Sequence, residues 1–164
     1  MAGLTDEDRA RYARHLTLPK VGEQGQSKLK QSRVFCVGAG GLGSPSLLYL
    51  AAAGIGHLTV IDDDAIERSN LQRQIMHADD DVGISKAESA LLRLRELNPS
   101  ISIEVYAERL TAENAMQRVQ GHDIVLDGTD NIPTRYLIND VCELIDIPWV
   151  YGSIYRFEGQ VSVF

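Results

Sequence analysis

The chain has 164 residues, 44% of them hydrophobic and 24% charged, with a formal net charge of −7, and this length suits one domain, 1–164, with a real core. The acidic balance and the absence of a Lys/Arg cluster argue against general affinity for nucleic acid, because nothing supplies the footprint that neutralises a phosphate backbone. No stretch is apolar enough to cross a bilayer and no charged-then-apolar leader opens the chain, so a cytoplasmic protein with no membrane partner is expected.

Residues 1–30 read as a helical N-terminal extension. Thr5 followed by Asp8 has the form of a capping box, opening a helix that turns Tyr12 and Leu16 toward the body and Arg9, Arg11 and Arg14 elsewhere, with Pro19 as its stop. A short helical piece around 26–30 leads into an apolar, β-rich run at 33–37. That run stops at Gly38-Ala39-Gly40-Gly41-Leu42-Gly43, where glycines permit a tight turn and close backbone approach to a ligand. Ser44 is expected to cap the next helix, with Pro45 at its first position and Gly54 as its end. Residues 57–61 resume as a strand ending at Asp62, about twenty residues past the turn, where an acid can hold a ribose hydroxyl.

A long polar connection, 65–84, follows the aspartates 62–64 and contains Asn70 and Arg73; connections of this length are usually functional or mobile. Ser85 and Glu88 form a second candidate capping box, and Ala87, Ala90, Leu91, Leu94 and Leu97 fall on one helix face. Lys86 breaks a local rule, placing a cation in the first turn against the helix dipole; it reads equally as a functional residue or as a solvated lysine paired with an acid. A third strand is expected at 101–106, a helix from Thr111 to Val119, and a fourth strand at 123–127. The helix after Gly128-Thr129-Asp130-Asn131 is expected to bury Tyr136, Leu137, Val141, Leu144 and Ile145, with Asp130 as its possible N-cap. Strands at 149–154 and 160–164 close the chain.

This alternation predicts an α/β, Rossmann-like, mostly parallel sheet with helices on both faces and ligands beyond the carboxyl ends of the strands. There the glycine turn, Asp62 and the 127–131 segment should converge. A dinucleotide needs only the turn and the ribose acid. Asn70, Arg73, Lys86 and Asp130 on the same edge suit a triphosphate better, with Asp130 as a magnesium ligand. The cysteines, Cys36 and Cys142, have no metal or redox spacing and read as core residues; His15, His57, His77 and His122 are isolated and read as surface or packing residues.

The stretches RYARH, GAGGLGS, SNLQRQ, DVGISKAESA, LNP, DGTDN, TRYLIND and GSIYRFEGQVSVF run in order from Arg11 to Phe164. In them the chain resembles the N-terminal part of the ubiquitin-activating-like adenylyltransferases of the HesA/MoeB/ThiF type, which activate small sulfur carriers for molybdopterin, thiamin or tRNA-thiolation pathways. The resemblance implies ATP- and magnesium-dependent adenylation of the C-terminal Gly-Gly carboxylate of a ubiquitin-like carrier. It implies that Gly38, Gly40, Gly41 and Gly43 form the ATP-binding turn, that Asp62 holds the ribose, that Asn70, Arg73 and Lys86 contact phosphates, and that Asp130 binds or positions magnesium. Arg14 resembles the arginine that the family supplies to a partner subunit's site, which implies a homodimer.

The family's CxxC zinc motifs and reactive cysteine lie beyond Phe164, so zinc is not expected in this chain. Residues 160–164 stop in an apolar strand without a polar tail, and the sequence is expected to be truncated or a degenerate copy, with doubtful activity alone. Two alternatives stay open: an NAD-dependent oxidoreductase, and a non-catalytic module that binds a ubiquitin-like protein.

Overall fold

A computed structural model describes residues 3–164. The N-terminal helices are α1 (Asp6–Arg11), α2 (Ala13–Leu16) and α3 (Gly22–Gln31). Strand β1 (Arg33–Val37), helix α4 (Gly43–Ala53) and strand β2 (His57–Ile61) follow, then α5 (Lys86–Leu97), β3 (Ser102–Tyr106) and α6 (Ala115–Val119). The last elements are β4 (Ile124–Asp127), α7 (Ile132–Ile145), β5 (Trp149–Tyr155) and β6 (Glu158–Val163).

The sheet order is β3-β2-β1-β4-β5-β6, parallel except for β6, which pairs antiparallel to β5. Strand β1 is apolar on both faces because each face carries a helical layer. Val34 and Cys36 pack with Leu47, Ala51 and Leu94 of α4 and α5, while Phe35 and Val37 pack with Val119, Ile138 and Val141 of α6 and α7. Both cysteines are free and buried, as expected; burial pushes the Cys142 thiol up to about 11. No helix among the described residues is long and apolar enough to cross a membrane.

After β3 the chain returns to the other side of β1 to form β4, so the order reverses between β1 and β4, the place where open α/β sheets form a ligand crevice. The registers Val37↔Ile61 and Val37↔Asp127 end three strands at one level. Gly38, Asp62 and Gly128 therefore leave the sheet side by side.

Several helix details differ from the sequence expectations. The capping box of Thr5 and Asp8 forms, but the helix it opens breaks at Tyr12, whose ring is 4% exposed and lies against Gly54. Helix α3 is longer than 26–30, because its fully buried Gln26 donates to the Ala53 carbonyl (2.9 Å) and ties the segment to α4. Helix α4 starts at Gly43 with Leu42 in the cap position, and Ser44 instead donates to the Ala39 carbonyl at 2.9 Å, stabilising the turn before the helix. Ser85 occupies the cap position of α5 without a capping bond, and α6 begins at Ala115 with Asn114, not Thr111, in the cap position.

The buried face of α7 is Ile138, Val141 and Cys142, whereas Tyr136 and Leu144 are 68% and 74% exposed. The helix is rotated so that Arg135, one turn before Ile138, reaches Tyr151 and Gly152 of β5. In α5 the buried side includes Lys86 and Ser89, and Leu97 is exposed in the last turn. His57 and His122 are not isolated, since both hydrogen-bond to the Thr59 hydroxyl, at 3.0 and 2.8 Å.

One buried amide joins the N-terminal helices to the sheet layers: Asn98 Nδ2 donates to Tyr12 Oη (2.8 Å) and to the Ala51 carbonyl (2.7 Å). Replacing Asn98 with Ala strands both acceptors in a dry site, which costs about 1–3 kcal/mol. Urea denaturation of Asn98→Ala is expected to show an unfolding free energy lower by that amount, with Tyr12→Phe showing a smaller loss.

Candidate active site

The glycines after β1 divide into two sets by what surrounds them. Gly38 adopts a φ of +93°, and a Cβ there would lie 3.1 Å from the Gly128 carbonyl oxygen. A Cβ on Gly43 would fall on the Gly38 carbonyl, and one on Gly128 would lie 3.1 Å from both Gly43 N and Val37 O. These three residues let β1, α4 and the segment after β4 touch backbone to backbone. Gly40 and Gly41 instead face side chains, with Gln74 and Arg73 across from them. The N-terminus of α4 carries no side-chain cap; Ser44 N–H donates to the Gly40 carbonyl at 2.8 Å and Pro45 has no N–H, so the Leu42 and Gly43 N–H groups and the positive dipole end are left to meet an anion at the turn.

Above this turn lies an open cavity of about 610 Å³. Gly38, Gly40 and Gly41 form its floor, Asp62 one wall, Arg73 and Lys86 a second, and Asp130 and Arg135 a third. Asp62 Oδ2 accepts from Ala39 N–H at 2.7 Å and its Oδ1 accepts from Asp64 N–H at 2.9 Å. Burial raises the Asp62 pKa, while those two backbone bonds and Lys86 act to lower it. Lys86 donates to Asp64 Oδ2 at 2.6 Å; its side chain is 7% exposed and that of Asp64 is 65% exposed. It is therefore paired with an acid, as one reading had it, but it is held inside the cavity wall and is not solvated.

Arg73 lies over Gly41 and donates to the Ser69 carbonyl at 3.2 Å. Asp130 is exposed at the cavity mouth. It is not the cap of α7, because Asn131 Oδ1 takes that role by accepting from Thr134 N–H at 3.0 Å. Gly43, Asn70 and Arg14 do not line the cavity. Gly43 sits beneath the floor, Asn70 Oδ1 accepts from Glu67 N–H (3.2 Å) within the connection, and Arg14 is exposed on α2.

The connection 65–84 is anchored by buried Ile66, Gln74, Met76 and His77, and an isolated bridge pairs Ala65 with Ser85. It is a packed strap over the turn.

Arg135, within the TRYLIND stretch, is a further wall residue, one to which the sequence analysis assigns no role. Its guanidinium donates to Thr129 O (2.6 Å), Tyr151 Oη (2.8 Å) and Gly152 O (3.2 Å), joining the segment that carries Asp130 to β5. Beside it is Asp127, 2% exposed, whose pKa burial raises while Thr129 and Arg135 act to lower it. Asp127 Oδ2 and Arg135 Nε lie 3.8 Å apart, and each lacks a hydrogen-bond partner. The signal that singled out Lys86, a cation near a helix N-terminus, applies equally to Arg135.

The ThiF family model matches residues 12–164. The "SAMP-activating enzyme E1" of Haloferax volcanii is 55% identical over 152 residues, covering 93% of this chain and 56% of the relative. The "sulfur carrier protein adenylyltransferase" of Thermus thermophilus is 50% identical over 160 residues, covering 98% of this chain and 59% of the relative. A crystal structure of E. coli tRNA N6-threonylcarbamoyladenosine dehydratase, TcdA, in complex with ATP superposes with a TM-score of 0.83 at 33% identity, covering 90% of this chain and 60% of that one. The chain thus spans about half the length of the curated relatives it matches.

The two sets of glycines predict different outcomes on substitution. Gly43→Ala overpacks a backbone contact that cannot yield and is expected to lower stability by about 1–3 kcal/mol. Gly40→Ala meets only the Gln74 amide, at 3.5 Å, and is expected to fold like the parent, so thermal unfolding of the pair checks the division.

Proposed function

The chain belongs to the ThiF family, and from that premise we propose that it forms the nucleotide-binding part of an enzyme that adenylates the C-terminal Gly-Gly carboxylate of a ubiquitin-like sulfur-carrier protein. One observation carries the reading: the glycine turn, Asp62, Arg73, Lys86 and Asp130, far apart in sequence, surround a single cavity at the strand ends. A nicotinamide dinucleotide would use the turn and Asp62 but leaves Arg73, Lys86 and Asp130 without roles.

In the proposed reaction a carboxylate oxygen of the carrier bonds to the α-phosphorus of ATP, the bond to the bridging oxygen breaks, and pyrophosphate leaves with its electrons. The carrier is the nucleophile, so the protein's work is positioning and charge neutralisation. The N–H groups at the start of α4 and the Gly40–Gly41 backbone receive phosphate oxygens, and the Asp62 carboxylate, fixed by Ala39 and Asp64, receives the ribose hydroxyl. Asp64 holds Lys86 ready beside the phosphates, and Arg73, laid over Gly41, neutralises charge from above the turn. Asn70 acts from within the strap that carries Arg73, and Gly43 acts by allowing α4 to begin against Gly38.

Magnesium fits this donor set at Asp130, because Asp62, Asp63 and Asp64 are already engaged by Ala39, Arg109 and Lys86 while the Asp130 carboxylate stands free of the α7 cap. Bound there, the ion would neutralise charge on the phosphate oxygens. Arg14 is exposed and does not line its own cavity, which suits delivery to the cavity of a second subunit in a homodimer.

Asp130→Asn is expected to fold normally and to lose carrier-dependent exchange of labelled pyrophosphate into ATP by about 100-fold or more, the scale of a removed charge-positioning group. The carrier in this assay is a sulfur-carrier protein ending in Gly-Gly. Unchanged exchange in the variant would remove Asp130 from the mechanism, and nicotinamide dinucleotide binding without ATP binding would overturn the adenylation reading.

A further inference from the structure

His77 lies in the strap and has no part in the chemistry above, yet it is 7% exposed and reaches the glycine turn. Its Nε2 is 3.0 Å from the Ala39 carbonyl oxygen, and its Nδ1 is 2.9 Å from Ser89 Oγ on α5. Ser89 Oγ lies in turn 3.0 Å from Asp81 Oδ2. Three contacts therefore run from the turn to Asp81, and each requires a hydrogen.

The supply of hydrogens can be counted. A carbonyl and an ionised carboxylate bring none, Ser89 brings one, and a neutral imidazole brings one. Two hydrogens then serve three contacts, whichever tautomer His77 adopts. An imidazolium brings two, and all three contacts are completed: one N–H to Ala39, the other to Ser89, and the Ser89 hydroxyl to Asp81. Protonating Asp81 would also complete the set. Burial acts to raise the Asp81 pKa, but hydrogen bonds from Ala78 N–H, Ser89 and Arg93 bring it below the usual carboxylate value, so it stays ionised.

We infer that His77 is the positioning residue of the glycine turn and that a proton taken up by the His77–Ser89–Asp81 chain fastens that turn. Ala39 is the point of attachment. Its N–H is held by Asp62, and its carbonyl receives both Ser44 (2.9 Å) and His77 (3.0 Å), so a stronger bond from His77 acts on the residue that sets the shape of the turn. The consequence for nucleotide affinity rests on the phosphate-binding reading of the turn given above.

Burial is the largest influence on His77 and pushes its pKa below the ordinary value; the Ala39 carbonyl, Asp62 and Asp81 oppose it, and Lys86 reinforces it. Arg93 faces the ring only through Asp81, at 3.2 Å. At neutral pH the ring is therefore neutral and the chain is one hydrogen short. As pH falls, the unfolded state binds its histidine proton first, so global stability declines from about pH 6.5 down to the folded His77 pKa. The turn itself tightens through the same titration, so the local and global effects have opposite signs.

The test is NMR of the 15N-labelled protein between about pH 5 and pH 8, following the His77 ring nitrogens and the exchange protection of the Ala39 and Ser44 amides, corrected for intrinsic exchange. In the parent, protection at these two amides is expected to rise about threefold or more in step with the His77 titration, as for a neutral bond becoming charge-assisted. His77→Gln retains a donor toward Ala39 but cannot titrate, so its protection should be independent of pH. Ser89→Ala frees the neutral ring to keep its one N–H on Ala39, so the step should shrink to the charge-assisted part of that bond although His77 still titrates. A step that persists in His77→Gln, or a parent without one, overturns the inference. ATP titrations of the same samples separate the two readings: a protonation step without ATP binding overturns the nucleotide reading alone, and ATP binding with flat protection overturns the role of His77 alone.

Discussion

The site depends on the close approach of three backbones at the end of β1. Gly38, Gly43 and Gly128 leave no room between them for a Cβ, and this brings the start of α4 and the start of the Asp130 segment against the same strand end. The strand registers make that approach possible, because β1, β2 and β4 finish level. Once they do, a helix N-terminus, the Asp62 side chain and the Asp130 carboxylate face one space without any long side chain reaching for them. Glycine contributes here by what it lacks, and the same absence permits the φ of +93° at Gly38.

The charges are placed on that frame against local preference. Lys86 and Arg135 both stand near helix N-termini, where the dipole disfavours a cation, and both are held by partners: Lys86 by Asp64, and Arg135 by two carbonyls, the Tyr151 hydroxyl and the neighbouring Asp127. Each helix thereby loses some local stability, and the cavity gains a cation with little freedom left to lose. A group fixed before its ligand arrives forfeits less entropy on binding and needs no rearrangement as charge develops. The unpartnered Asp127 Oδ2 and Arg135 Nε show that this tolerance extends to the hydrogen bonds beneath the Asp130 segment.

Much of the architecture is legible in the sequence, since strands buried on both faces are written as short apolar runs between glycine or acidic stops, and residues 33–37 and 57–61 match β1 and β2 end for end. The family was legible for a different reason: several of its motifs, GAGGLGS, SNLQRQ, DVGISKAESA and DGTDN among them, contribute residues to the cavity, and all of them occur here in order. Helix starts and faces were less so. Ser44, Ser85 and Thr111 have capping chemistry, but Ser44 is drawn to Ala39, Ser85 Oγ is buried without a partner, and Asn114 occupies the cap position expected for Thr111. In α7 hydrophobicity favoured Tyr136 and Leu144, whereas the helix turns to seat Arg135. A polar residue with three acceptors sets that rotation, and no apolar periodicity records it.

The strap, residues 65–84, shows the same gap between pattern and role. Its sequence is polar and without period, which reads as functional or mobile, and Ile66, Met76, Gln74 and His77 are buried and fix it across the turn. Arg73 lies over Gly41 while its neighbour Gln74 is buried against Gly40. The anchors and the charged residues alternate along the strap, so one short segment positions its cations and braces the turn beneath them. A loop built this way does not need to close over a nucleotide, because its anchoring is supplied by folding.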